Sequence, residues 1–305
     1  GWQGDFFGPD MQSAMQVHNK AEFARLAGHM GYAPEENRLL RSSNDLKAFA
    51  GNPTGYVFKA VYSRFASRVL IGPDREALAA LKPTADDPWL AQSRIIGEEV
   101  CAYAVIRHGT VVALAPYRNL MRVGQGTAIV VESVSSPDIA EFVAAFAAET
   151  GWTGQISFDF IRQTDGRLVV IEANPRATMG VELFLPDDGL AQAILGQQAT
   201  ASPSRKMTAI KGTVWLVGML GLLGVARRQP WFSYFRVSDD AFRFPGEGPL
   251  WIGQTLSVNA FFRLARQKNI SVLEATTYDM EWNGEPLSHA GPAQAQDAER
   301  HLEAV

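Results

Sequence analysis

The run from Gln155 to Arg176 constrains this chain more than any other. Gln155–Arg162 and Arg167–Glu172 are rich in β-branched and aromatic residues, and they flank Thr164-Asp165-Gly166. Asp-Gly between two such runs is among the strongest short signals for a β-hairpin. Pro175 ends the second strand, because proline donates nothing to a ladder. Residues two apart on a strand share a face, so Glu172 and Asn174 project together. Asp159, on the partner strand, can be placed beside them by the pairing. Two carboxylates and an amide oxygen then converge without histidine or thiolate. Such hard donors suit magnesium, or manganese in its place; magnesium takes one or two carboxylates and leaves its other positions to water and phosphate. Arg176 follows at once, and its guanidinium can grip a phosphoryl group or a carboxylate with fixed geometry. The competing reading is a solvated hairpin whose acids face water.

Upstream, Met11, Met15, His18, Phe23, Leu26 and Ala27 recur at helical spacing, which predicts one helix over Asp10–Met30. Gly31 and Pro34 stop it. A short helix is expected over Asp45–Ala50 and another over Asp74–Leu81. Strands are expected at Tyr56–Tyr62, Arg68–Ile71, Trp89–Ile96, Val100–Arg107 and Thr110–Ala115, the last two joined by a turn at His108-Gly109. Asp138–Thr150 reads as an amphipathic helix. Ser63–Ser67 reads as a small, polar loop able to close over phosphates.

Ile171-Glu172-Ala173-Asn174-Pro175-Arg176 resembles the E-x-N-P-R signature of ATP-grasp enzymes, with Asp159 and Asp165-Gly166 in matching order. That family includes biotin carboxylase, carbamoyl-phosphate synthetase, D-alanine–D-alanine ligase and many carboxylate–amine ligases. The resemblance runs from about residue 10 to 185. It implies an α+β ATP-grasp fold, two α+β subdomains sandwiching the nucleotide, with a C-terminal extension. It implies that Lys20 and Lys59 contact the phosphates of ATP, and that Asp159, Glu172 and Asn174 hold Mg²⁺. Arg176 becomes the catalytic residue. Gln92-Ser93-Arg94-Ile95-Ile96-Gly97-Glu98-Glu99 resembles the family's hinge. Gln92, Ser93 and Ile95 would then lie at the adenine, which is read by the main-chain groups of Ser93 and Ile95. Glu99, or alternatively Glu98, would take the ribose. Two departures stand out. Members carry a preceding α/β domain, whereas this chain starts almost at the first helix, so that part is expected to be missing, truncated or supplied elsewhere. The D-alanine ligase branch has an arginine where this chain has Ser157.

The resemblance implies an ADP-forming ligase that activates a small carboxylate as an acyl-phosphate for attack by an amine. The alternatives are phosphorylation of bicarbonate, as in carboxylases, and a nucleotide-binding module without turnover. The expected division is 1–50, a helical part; 51–115, a smaller subdomain with loop and hinge; 116–200, a larger subdomain with the hairpin; and 201–305, whose aromatic, proline-rich stretches carry no chemical motif and would cover the pocket or form a homodimer surface. Net charge is −4, from 28 basic and 32 acidic residues, so nothing advertises a nucleic-acid partner. The longest apolar run, Gly212 to Ala226, falls short of the ~20 residues a membrane span needs and is interrupted by Gly218, Gly221 and Gly224. It predicts a buried helix or strand pair. The lone Cys101 excludes an internal disulfide and fits a core position in a reducing, cytoplasmic setting.

Overall fold

The computed structural model describes residues 6–63, 68–123, 127–223, 230–242, 251–270, 272–276 and 278. Two helices, α1 (Met11–His18) and α2 (Lys20–His29), stand where one was expected. The break is Asn19, whose backbone is extended and whose side-chain oxygen accepts from the N–H groups of Ala21 and Glu22. Asparagine competes with the helical backbone for its own hydrogen bonds, which is why it favours caps over interiors. Apolar spacing continues through such a break and does not report it. The consequence is functional: Lys20 becomes the first residue of α2 and is only 7% exposed.

Four short strands follow, β1 (Asn37–Leu40), β2 (Tyr56–Ala60), β3 (Val69–Ile71) and β4 (Trp89–Ser93), with α3 (Arg75–Ala80) between the last two. They form an antiparallel sheet in the order β1-β4-β2-β3. Leu40, Phe49, Phe58 and Trp89 make its core. The helix expected over Asp45–Ala50 is a 3-10 turn, Asp45–Phe49. Strand β1 has only four residues and no alternation, so it escaped sequence reading.

Seven strands build the larger sheet. These are β5 (Glu98–Arg107), β6 (Thr110–Val123), β7 (Thr127–Ser133), β8 (Gly154–Arg162), β9 (Leu168–Asn174), β10 (Met207–Ala209) and β11 (Asp239–Asp240), ordered β11-β10-β7-β6-β5-β8-β9. Helix α4 (Pro137–Thr150) packs on it; α5 (Leu190–Ile194), α6 (Lys211–Leu222) and α7 (Trp231–Val237) follow. His108 and Gly109, both at positive φ, make the tight β5–β6 turn. One face of β5 and β8 packs Val100, Ala102, Phe158 and Phe160 against Phe142 and Phe146 of α4 and Phe23 of α2. Phe142 meets Phe158 and Phe160 edge to face, each at 5.1 Å. The other face of β5 buries Tyr103 and Val105, so both faces are covered and the strand reads as a continuous apolar run.

The two sheets change over at residues 94–97. The division drawn at residue 115 falls inside β6, and residues 1–50, expected to be helical, also supply β1. Gly97 passes so close to β8 that a Cβ there would lie 2.1 Å from the Arg162 carbonyl oxygen. The apolar run from Gly212 begins as α6, where Gly218 lets Trp231 approach; residues 224–226 lie outside the described residues. No helix among the described residues is long and apolar enough to cross a membrane. From Gly253 the chain forms a second compact unit, whose described part is the remainder of α8 (Trp251–Lys268) and α9 (Val272–Ala275).

Phe142 sits at the centre of the aromatic cluster and is fully buried. Phe142→Ala is therefore expected to cost about 3–5 kcal/mol, read as a lower urea midpoint at unchanged slope. A loss below about 1 kcal/mol would mean that the packing is not what holds α4 to the sheet.

Candidate functional site

A cavity of about 540 Å³ lies between the two sheets, and it is lined by Lys20, Lys59, Gln92, Ser93, Ile95, Glu99, Asp159, Glu172, Asn174 and Arg176, all singled out from the sequence. The seven-stranded sheet supplies one wall. Tyr117, Cys101, Asp159 and Glu172 stand in register across β6, β5, β8 and β9, one residue per strand. The four-stranded sheet supplies the other wall, with Lys59 from β2 and Gln92 and Ser93 from β4.

The hairpin pairs Asp159 with Glu172 and Ser157 with Asn174, as its alternation predicts. A bulge that the sequence does not announce follows immediately: Phe160 pairs with Val170, leaving Ile171 as the extra residue. Bulges disrupt the ladder and re-aim neighbouring groups. The Ile171 carbonyl accepts from Lys59 Nζ at 3.1 Å. Lys59 thus reaches across from the smaller sheet and is 6% exposed. Lys20 Nζ lies 3.2 Å from Glu172 Oε1 and donates to the Ser63 carbonyl at 2.8 Å. Residues 64–67 of the expected phosphate loop lie outside the described residues.

Both oxygens of Asp159 are engaged. Cys101 Sγ–H donates to Oδ1 at 3.1 Å, and Asn174 Nδ2 donates to Oδ2 at 3.2 Å. Burial, reinforced by Glu172, raises the Asp159 pKa against the opposing pull of Cys101, Arg122 and Lys59. Burial lowers the Lys59 pKa, with Lys20 acting the same way and Glu172 and Asp159 opposing. Both shifts say that burial at these positions disfavours charge. Burial raises the Cys101 thiol well above its usual range, so it is a neutral donor rather than a nucleophile.

Among the described residues no three His, Cys, Asp or Glu side chains are grouped to hold a metal. The donor set is instead two carboxylates and one amide. That set fits a magnesium ion whose remaining positions go to phosphate and water. Asn174 now meets Asp159 through its nitrogen, and rotation about its last bond exchanges that nitrogen for the oxygen.

At the hinge, alternation along β5 separates the two candidate acids. Glu99 lines the cavity and is ion-paired with Arg122, whereas Glu98 lies off it, 3.9 Å from Arg118 and 3.8 Å from Arg162. The Ser93 N–H is committed to the Glu36 carbonyl at 3.0 Å. The main-chain groups of Ile95 have no hydrogen-bond partner among the described residues. Gln92 is buried, and its amide nitrogen is tied to Asn37 Oδ1 at 2.6 Å. Arg176 is exposed, and its guanidinium contacts the Ala177 carbonyl. Sequence reading missed Tyr117, Asn119 and Arg122. They lie on β6 beyond residue 115, where bulges between Asn119 and Arg122 break the alternation that would have marked them.

Solved structures share this architecture. A phosphoribosylamine–glycine ligase from Thermotoga maritima matches with a TM-score of 0.54 and 17% identity over 66% of this chain and 60% of its own. A carboxyaminoimidazole ribonucleotide synthase from Aspergillus clavatus, complexed with ATP, matches at 0.54 and 16% over 66% and 58%. A biotin carboxylase from Campylobacter jejuni matches at 0.50 and 14% over 65% and 50%. The match spans three fifths or less of those chains, and at these identities it is a likeness of fold. No protein-family model and no curated protein matches the sequence.

The raised Asp159 pKa sets a pH dependence. Its folded pKa exceeds the unfolded value of about 3.9, so between the two the folded state holds a proton that the unfolded state has released. Stability falls as pH rises through that window, and the penalty is complete above it. Asp159→Asn removes the penalty. The ligand-free variant should have the higher urea midpoint at pH 8, and its advantage should vanish as pH drops below the window. A variant less stable than the parent at pH 8 contradicts the assignment.

Proposed function

We propose that this chain, which has the ATP-grasp fold, is an ATP- and magnesium-dependent ligase that activates a small carboxylate as an acyl-phosphate for attack by an amine. The carrying observation is the convergence of Lys20, Lys59, Asp159, Glu172 and Asn174 on one cavity between two sheets. The Aspergillus clavatus structure with ATP supports a nucleotide in a fold of this kind.

The adenine lies at the hinge, against the Ser93 carbonyl and the main-chain groups of Ile95. Glu99, held by Arg122, takes the ribose hydroxyls. Lys59 and Lys20 reach the phosphates from opposite elements and exchange their present partners, the Ile171 and Ser63 carbonyls and Glu172, for phosphate oxygens. Asp159, Glu172 and Asn174 hold one or two magnesium ions, which when bound neutralise charge on the phosphates. Arg176 grips the substrate carboxylate and stabilises the acyl-phosphate. A carboxylate oxygen attacks the γ-phosphorus, its bond to the β,γ-bridging oxygen breaks, and ADP leaves. The amine then attacks the acyl carbon and inorganic phosphate departs, the amine proton passing to phosphate or water. No protein nucleophile is required, so positioning and electrostatics carry the rate. One buried thiol suits a cytoplasmic setting.

Incubation with Mg-ATP, a pool of carboxylic acids and a pool of amines should release ADP and phosphate only when one acid and one amine are present together. Dependence on bicarbonate would move the reaction to the carboxylase class, and AMP as product would end the acyl-phosphate proposal. Asp159→Asn and Glu172→Gln should each lower kcat/KM by ~10³-fold or more, whereas Glu99→Gln should mainly raise the KM for ATP, by about tenfold.

A further inference from the structure

Beneath the loop that carries Arg176 runs a chain of hydroxyl groups that the proposed reaction does not use. Tyr117 OH lies 2.9 Å from Thr178 Oγ1. Thr178 Oγ1 donates to Ser157 Oγ at 3.0 Å, and Ser157 Oγ donates to the Arg176 carbonyl at 3.0 Å. A hydroxyl has one proton, so these bonds fix the direction of the chain. Ser157 spends its proton on the carbonyl, Thr178 spends its own on Ser157, and Tyr117 must be the donor to Thr178. Every hydroxyl is a donor, and the last acceptor is the peptide that follows the Arg176 side chain. Tyr117 and Ser157 are 4% and 2% exposed, so water does not compete for these bonds.

The chain is anchored on the metal acid's own strand. Ser157 is two residues before Asp159 on β8, and Tyr117 is in register with Cys101, which donates to Asp159. The Arg176 guanidinium, by contrast, is exposed and contacts only the Ala177 carbonyl among the described residues. What places this side chain relative to Asp159 is therefore its backbone, and what holds the backbone is the hydroxyl chain together with the 2.7 Å bond from Arg176 N–H to the Asn174 carbonyl.

We propose that Ser157, acting with Thr178 and Tyr117, is a positioning residue that sets Arg176 against the transferred phosphoryl group. The inference rests on the reading of Arg176 given above. Ser157 does not line the cavity, so its removal takes away no ligand contact.

The test uses the full chain with MgADP and aluminium fluoride, a mimic of the phosphoryl group in transfer that needs no knowledge of the acid or amine. Ser157→Ala should bind MgADP within about twofold of the parent but trap aluminium fluoride about tenfold more weakly, since small misplacements of a catalytic group cost one to two orders of magnitude. Ser157→Thr, which keeps the hydroxyl, should restore trapping. If Ser157→Ala does not fold, Ser157→Cys, which fills the same place with a weaker donor, should weaken trapping in the same direction while leaving MgADP affinity in place. Unchanged trapping in the folded variants, or equal loss of MgADP and fluoride binding, overturns the positioning role. A parent protein that binds MgADP but never traps fluoride removes its premise. A parent that binds no MgADP sinks the proposed reaction itself.

Discussion

Two lysines and two carboxylates meet in the gap between two sheets, and the rest of the structure serves to bring them there. Lys59 comes from the smaller sheet, Lys20 from the start of α2, and Asp159 and Glu172 from the hairpin of the larger sheet. Charges at such depth are costly unless paired, and their pairing here is incomplete: burial moves the Asp159 and Lys59 pKa values toward neutrality despite the opposite charges nearby. Groups held that way are stable enough to fold and yet incompletely compensated. Each local irregularity of the chain contributes to this one junction. The Asn19 break places Lys20 at a helix start, the Ile171 bulge provides the carbonyl that holds Lys59, and Gly97 lets the hinge cross β8 at a distance no side chain would permit.

The hairpin was legible because its signals are local and redundant. An Asp-Gly turn, two β-rich runs and a terminating proline agree, and strand alternation then decides which residues share a face. The same alternation, applied to β5, separates Glu99 from Glu98 once the strand is known to begin at Glu98. The helix break and the bulge were not legible. Asn19 sits inside an uninterrupted helical spacing, and Ile171 is an ordinary β-branched residue with no glycine to mark it. Both depend on tertiary partners: Asn19 Nδ2 donates to Tyr62 OH at 3.0 Å, and the Ile171 carbonyl receives a lysine from a strand more than a hundred residues earlier. Local propensity cannot report contacts of that separation.

Strand β6 shows a different limit. Its first half, Thr110–Ala115, alternates well enough to be read from sequence. Its second half carries Tyr117, Asn119 and Arg122 into the cavity, but register shifts on either side of Met121 scramble the period. A residue set for a ligand is under no obligation to keep the pattern that packs a core, so the sequence signal fades where the strand stops serving the core and starts serving the site. The polar character of Tyr117-Arg118-Asn119 offers a clue, yet it is equally the character of an exposed edge.

The hydroxyl chain under Arg176 follows from the same division of labour. On the face of β8 that packs on α4, Phe158 and Phe160 join the aromatic cluster and Arg162 pairs with Asp138 of α4, whereas Ser157, Asp159 and Ile161 alternate onto the opposite face. Asp159 and Ile161 line the cavity. Ser157 is left at the end of the strand nearest the turn into Pro175, buried where a long charged side chain would have to find a partner. A small hydroxyl satisfies that place at low desolvation cost, because it needs one acceptor and one donor and has both within 3.0 Å. From that place the serine holds the peptide that follows Arg176, on the segment after β9.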